Sequence, residues 1–118
     1  MTRTHKDLDV WKKSIDFVTK IYKVTETFPK SEMYGLSSQI RRASVSIPSN
    51  IAEGSARKGK VEFKQFLYIS LSSAAEVDTQ LLISLNLGYL ELSKYEDLGS
   101  QLETISKMLQ GLIKSIDK

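Results

Sequence analysis

The sequence predicts an all-α fold, an antiparallel up-down-up-down four-helix bundle, and three observations carry that expectation. Apolar residues recur at three- and four-residue intervals in four consecutive blocks, which is the helical rhythm. No segment shows a sustained strand-like alternation. Both prolines and most of the six glycines fall near the block boundaries, and short connections between long helices make neighbours antiparallel. A chain of 118 residues accommodates one such core, so residues 1–118 are read as a single domain.

The first block runs roughly from Asp9 to Phe28 and carries two apolar stripes. Leu8, Trp11, Ile15, Val18 and Tyr22 share one. Val10, Phe17, Ile21, Val24 and Phe28 share another, roughly 130° around the helix at about 100° per residue. Lys12, Lys13, Asp16, Lys20 and Lys23 fill the remaining arc. A helix on the surface of a monomer needs an apolar arc of only about 100°. Two stripes therefore imply two contact surfaces, one for the core and one for a neighbouring subunit or partner, with Val10, Phe17, Ile21, Val24 and Phe28 assigned to the oligomer interface. The competing reading buries both stripes among the other three helices.

The second block places Leu36, Ile40, Ala43, Ile47 and Ile51 on a narrow stripe beside small residues that let neighbours approach closely. Pro48 falls inside it. A kink is expected because the ring blocks a hydrogen bond to the Ser44 carbonyl, and the alternative is a break into two short helices. The third block, about Val61 to Leu87, carries Phe63, Phe66, Leu67, Leu71, Ala74, Leu81, Leu82 and Leu85, with Gly88 placed to end it. Asp78 falls within that face and is read as a carboxylate at the interface edge answering a basic side chain, a buried functional acid being the alternative. In the fourth block Tyr95, Leu98, Leu102, Ile105, Leu109, Leu112 and Ile116 follow an unbroken 3-4 spacing. Ser93 and Glu96 have capping-box spacing, so the helix is expected to begin near Ser93.

Composition narrows the chemistry. The absence of cysteine removes disulfides, thiolate metal sites and cysteine nucleophiles, and fits a cytoplasmic protein. The charged start has no apolar core of the secretory kind, and the most apolar stretch is interrupted well short of a membrane span. Net charge is +3, unevenly spread: residues 1–64 hold 13 Lys/Arg against 7 Asp/Glu, whereas residues 65–118 hold 4 against 7. A basic front half fits an acidic partner such as nucleic acid; solvation of helix surfaces by lysine is the plainer account.

The segment from Gly54 to Val61 satisfies the first seven positions of a phosphate-binding loop and fails at the eighth, where Val61 replaces the magnesium-binding hydroxyl. Without a preceding strand it reads as a basic turn between helices. The lone histidine, His5, lies near the amino terminus and is expected to be frayed. It supports neither a metal site nor a catalytic triad, so no catalytic residue, metal or cofactor is expected. What remains is a basic group, Arg41, Arg42, Arg57, Lys58, Lys60 and Lys64, read as a phosphate-contacting patch partly neutralised by Glu53 and Glu62. No aromatic residues interleave with it as stacking platforms.

The run FPKSEMYGLSSQIRRASVSIPSNIAEGSAR, residues 28–57, closely resembles the signature of the bacterial four-helix bundle proteins known as 23S rRNA intervening-sequence proteins. Leu8-Asp9-Val10-Trp11 and Tyr22 match the opening helix of that family, and Glu62-Phe63 and Phe66-Leu67 match the start of its third. The resemblance spans about 80 residues, and the string SIPSNIAEG is its most specific part. Ser70 to Glu76 depart from it, standing where relatives more often carry a glycine-containing run. The resemblance implies a homopentameric bundle without catalytic residues. It also implies kinship with accessory proteins of diversity-generating retroelements, which bind RNA or DNA and a reverse transcriptase. Within the matching string, Asn50 and Glu53 are read structurally, Asn50 bonding carbonyls near the proline and Glu53 pairing with an arginine; a contact site is the alternative. Residues and resemblance together point to an oligomeric, non-enzymatic scaffold that binds nucleic acid. The alternative is a protein–protein adaptor using the spare stripe of the first helix.

Overall fold

A computed structural model describes residues 4–117, leaving outside them the first three residues of the charged amino-terminal stretch and Lys118. Four α-helices follow a short 3-10 turn at His5–Asp7: α1 (Asp9–Thr25), α2 (Leu36–Ser55), α3 (Lys60–Asn86) and α4 (Leu92–Ile116), with a second 3-10 turn, Lys30–Glu32, between α1 and α2. There is no strand among the described residues. Helix α1 packs on α2 and α4, and α3 packs on the same two, while the diagonal pairs do not touch. The result is a closed ring of four helices measuring 45 × 23 × 22 Å.

The stripe assigned to the oligomer interface is instead the core face of α1. Val10, Phe17, Ile21 and Phe28 are buried by their own chain, and Val24 is half-buried against the same core. The interface assignment of these five residues is therefore corrected. The reason lies between them: Ser14 and Thr25 share that face, their hydroxyls bonded to the Trp11 carbonyl at 2.8 Å and the Ile21 carbonyl at 2.7 Å. A hydroxyl bonded back to its own helix adds core volume without an unmet polar group. The other stripe is divided: Ile15 and Tyr22 are 41% and 42% exposed, whereas Leu8 and Trp11 pack against the core.

Helix α2 runs unbroken through Pro48, which is buried. The carbonyls just before the ring are held by side chains. Ser70 donates to the Ile47 carbonyl at 2.9 Å, and Asn50 donates to the Ser46 carbonyl and hydroxyl, both at 2.8 Å. Ser73 of α3 completes the group by donating to the Ser46 hydroxyl at 2.8 Å. Residues 46 and 47 thus meet 73 and 70, so α2 and α3 run in opposite directions. At the far end Gly54 lets the two backbones close. A Cβ there would stand 2.7 Å from the Phe66 Cβ and 3.3 Å from the Phe63 carbonyl oxygen.

The buried face of α3 contains Leu67, Ala74, Val77 and Leu81, interleaved with Ser70, Ser73 and Ser84. Of the face expected from sequence only Leu82 is exposed, and Asp78, expected to answer a basic side chain, is also exposed, with no ion-pair partner among the described residues. Gly88 at φ 78 ends the helix as expected, its N–H and that of Tyr89 bonding the Leu85 and Ser84 carbonyls at 3.0 and 2.9 Å. The capping box proposed at the start of α4 does not form. The helix begins at Leu92 with Glu91 in the cap position, which puts Ser93 already inside the first turn. Leu98, Leu102, Ile105 and Leu109 are buried, but the last core residue is Ile113, with Leu112 only half-buried. A strict heptad pattern drifts by about 20° per repeat on a straight helix, so the core position passes to the next residue by the third repeat of the pattern.

One residue joins three elements at the α2 entry. Gly35 supplies no side-chain cap, so the Glu32 carboxylate accepts the Leu36 N–H at 3.1 Å and the Tyr89 hydroxyl at 3.0 Å. It therefore fastens the α1–α2 connection to the α3–α4 turn.

The closest helix approach supplies a direct prediction. Gly54→Ala forces a methyl against the Phe66 Cβ and the α3 backbone, and is expected to lower unfolding free energy by about 1–3 kcal/mol. Urea denaturation monitored by circular dichroism measures it; unchanged stability would show that α2 and α3 separate freely there.

Candidate nucleic-acid interface

The six basic residues read from the sequence do not form one patch. Arg42 lies about 20 Å along α2 from the end of that helix at Ser55, at 1.5 Å per residue, so the arginine pair and the α2–α3 turn occupy different ends of the molecule.

Arg41 is largely committed to the fold. Its Nε donates to the Thr25 hydroxyl at 2.8 Å and its Nη2 to the Tyr22 carbonyl at 3.3 Å. Its guanidinium also covers the Tyr22 ring at 4.7 Å. This places a cation at the carboxyl end of α1, where unpaired carbonyls concentrate negative potential. Beside it, Arg42 is exposed and has no carboxylate partner among the described residues.

At the other end, Arg57 pairs with Glu53 at 3.4 Å and approaches Glu62 at 4.0 Å, while its guanidinium lies 5.0 Å from the Phe66 ring centre. Glu53 is thus a salt-bridge partner, as its structural reading held, and Glu62 contributes to the neutralisation of the turn. Lys64 forms an ion pair with Asp117, tying the start of α3 to the end of α4. The hydrogen bond to that carboxylate raises the Lys64 ammonium above the ordinary lysine value, against a smaller opposing effect of desolvation. Lys58 and Lys60 are exposed and have no acidic partner among the described residues. Of the six, then, Arg42, Lys58 and Lys60 keep their charge unpaired, and Arg41, Arg57 and Lys64 hold the bundle together.

The near-match to a phosphate-binding loop divides in the same way. Gly54 is buried inside α2, so its N–H cannot join a phosphate cradle, and only residues 56–59 form the turn. His5 is not frayed: Thr4 and Asp7 cap its turn reciprocally, and its ring meets Trp11 edge-on at 5.1 Å. No group of three or more His, Cys, Asp or Glu suited to a metal ion occurs among the described residues. No helix there is long and apolar enough to cross a membrane.

A cleft of about 1030 Å³ opens between the second half of α1 and the start of α4. Lys20, Lys23 and Lys94 edge it, but Glu91 and Asp97 face it too, leaving little net field. Sequence reading missed it because it joins residues more than sixty positions apart. Tyr34 was missed as well. It sits in the loop before α2 and is 92% exposed.

These features define a helical bundle that carries unpaired cations at two places. The chain belongs to the 23S rRNA-intervening sequence protein family, whose model matches residues 6–111. It is similar in structure to a protein with unknown function from the S23 ribosomal protein family of Bacteroides thetaiotaomicron, with a TM-score of 0.82 and 27% identity. The match covers 89% of this chain and 95% of that one. No curated protein matches the chain significantly.

The Lys64–Asp117 pair gives a pH prediction. Because the folded state raises the lysine pKa, its contribution is complete below the ordinary lysine value near ~10.4 and disappears as pH rises through the folded value. Lys64→Gln should therefore be less stable than the native protein at neutral pH, the gap closing under strong alkali. A gap constant with pH in chemical denaturation would show that the ion pair is not its source.

Proposed function

We propose that this protein is a non-enzymatic, self-associating scaffold that binds nucleic acid, RNA or an RNA–protein assembly first among the choices, through its α1–α2 side. The observation that carries this reading is the placement of unpaired charge. Helix α1, helix α2 and the turn after it hold eight Lys/Arg against three Asp/Glu, and they are neighbours in the ring. Arg42 at one end of α2, and Lys58 and Lys60 in the turn and at the start of α3 beyond its other end, are exposed without carboxylate partners among the described residues. Phosphate contacts need mobile, unpaired cations of this kind and confer affinity without sequence preference.

Self-association is supported by two apolar strips. One is the exposed part of the α1 stripe that holds Ile15 and Tyr22. The other is the outer face of α3, where Tyr68, Ile69, Leu82 and Ile83 are all more than 40% exposed. Helices α1 and α3 are diagonal in the ring and do not touch, so the strips point to different sides. Two distinct patches on one chain suit a head-to-tail contact, which closes into a ring when the rotation permits, as the pentamer implied by the family resemblance does. Repetition around a ring multiplies a weak phosphate surface through avidity.

Two outcomes are expected. Binding to a single-stranded RNA should weaken steeply between ~50 and ~200 mM salt, and Lys58→Gln combined with Lys60→Gln should flatten the log–log slope by about 1 to 2. Salt-independent affinity, or none at low salt, would remove the phosphate mechanism. In light scattering the native protein should be oligomeric, and Ile15→Glu or Ile69→Glu should each release monomers that keep their helical circular dichroism. A native protein that is strictly monomeric would instead favour the adaptor role, with the α1 stripe taking a partner's helix.

A further inference from the structure

Among the large apolar and aromatic side chains of the described residues, Tyr34 is the most exposed, and nothing in the fold uses it. It makes no hydrogen bond and no ring contact there, and its neighbour Met33 is 55% exposed. An aromatic ring ordinarily gains by lying against a surface. Here the backbone holds it away. The Met33 N–H bonds the Lys30 carbonyl at 3.1 Å and the Gly35 N–H bonds the Glu32 carbonyl at 3.0 Å. Gly35 then turns the chain into α2, and the Glu32 carboxylate locks that entry through Leu36 and Tyr89. The ring is presented by a loop tied on both sides, so little ordering remains to be lost when something stacks on it.

The neighbourhood has a matching character. Arg41 and Arg42 lie in the first two turns of α2, the latter about 9 Å along the axis from Leu36. Glu32, the carboxylate within this loop, is already engaged by two donors.

We infer that Tyr34 is a stacking platform for an unpaired base, and that the ligand of this end of the bundle is a single-stranded nucleic acid whose phosphates are met by Arg42. The inference rests on the nucleic-acid reading above and narrows it. Aromatic faces beside cations bind single strands because every exposed base has a face to stack, whereas in a duplex those faces are already taken. An unpaired ring is of no use to a surface that only tracks duplex phosphates. It runs against the expectation drawn from sequence that aromatic platforms are lacking, because Tyr34 stands in the connection that leads into the helix of the arginines and is not interleaved with them.

The test is fluorescence anisotropy at low salt with three probes: a short single-stranded RNA of mixed sequence, the same strand with abasic sugars, and the corresponding duplex. Tyr34→Ala should weaken binding of the base-bearing strand about tenfold and leave the abasic strand and the duplex unchanged. Tyr34→Trp should retain the native affinity. Thermal melting of both variants should match the native protein, since the ring is outside the core. If Tyr34→Ala binds the base-bearing strand as the native protein does while Arg42→Gln weakens it, stacking is overturned and the phosphate reading survives; the exposed tyrosine then belongs to a protein contact. An equal loss on all three probes overturns stacking as well. Absence of binding to any probe by the native protein overturns both readings.

Discussion

The close contact of α2 with α3 is the constraint on which the rest of the bundle depends. It is built from small and polar residues: Gly54 where the backbones nearly touch, Ser46, Ser70 and Ser73 along the crossing, and Asn50 reaching back beside Pro48. Each hydroxyl is satisfied, which is the condition for placing polar groups in a core. A proline in the interior of a helix removes a backbone bond and crowds the preceding turn. Here the two carbonyls just before it receive side-chain donors, one from Asn50 of the same helix and one from Ser70 of the neighbouring helix. The string SIPSNIAEG is therefore a packing device, which accounts for its specificity without invoking a ligand.

Electrostatics follow from that arrangement. Closing α2 on α3 leaves α1 and α2 adjacent on one side of the ring, and these elements carry the surplus positive charge. Several cations of the basic front half of the chain are nevertheless spent internally. Arg41 neutralises the end of α1, Arg57 answers Glu53, and Lys64 holds the final turn of α4. The basic surface is consequently sparser than the count of lysines and arginines implies, and it is divided between two ends. A divided surface of modest charge is one for which repetition matters, since avidity makes up for weak single contacts.

Most of the architecture was legible from periodicity. The four helices, the termination by Gly88, the continuity of the apolar stripe across Pro48 and the α2 core residues all follow from local rules. The failures share a cause. On α1 two apolar stripes of similar bulk left open which one faces inward, and Ser14 and Thr25, whose hydroxyls bond their own helix and so bury readily, mark the inner one. On α3 the buried Ser70, Ser73 and Ser84 likewise turn the core face away from Leu82 and Asp78. At Ser93 a capping box matched in spacing but lay one turn position too far inside the helix. The candidate site was legible as a list of charges and one local pairing, that of Glu53 with an arginine four positions on. The pairing of Arg41 and Lys64 depended on Thr25 and Asp117, and the latter is fifty-three positions from Lys64.

By itself, then, the order of residues determined that this chain is helical, where its helices stop, and which family it joins. These properties depend on dihedral preference and on neighbours within a few positions. Tertiary structure decided which stripe of α1 faces inward, which cations remain unpaired, and that Tyr34 stands in solvent. Those properties depend on what a side chain meets across space, and local rhythm carries no record of it.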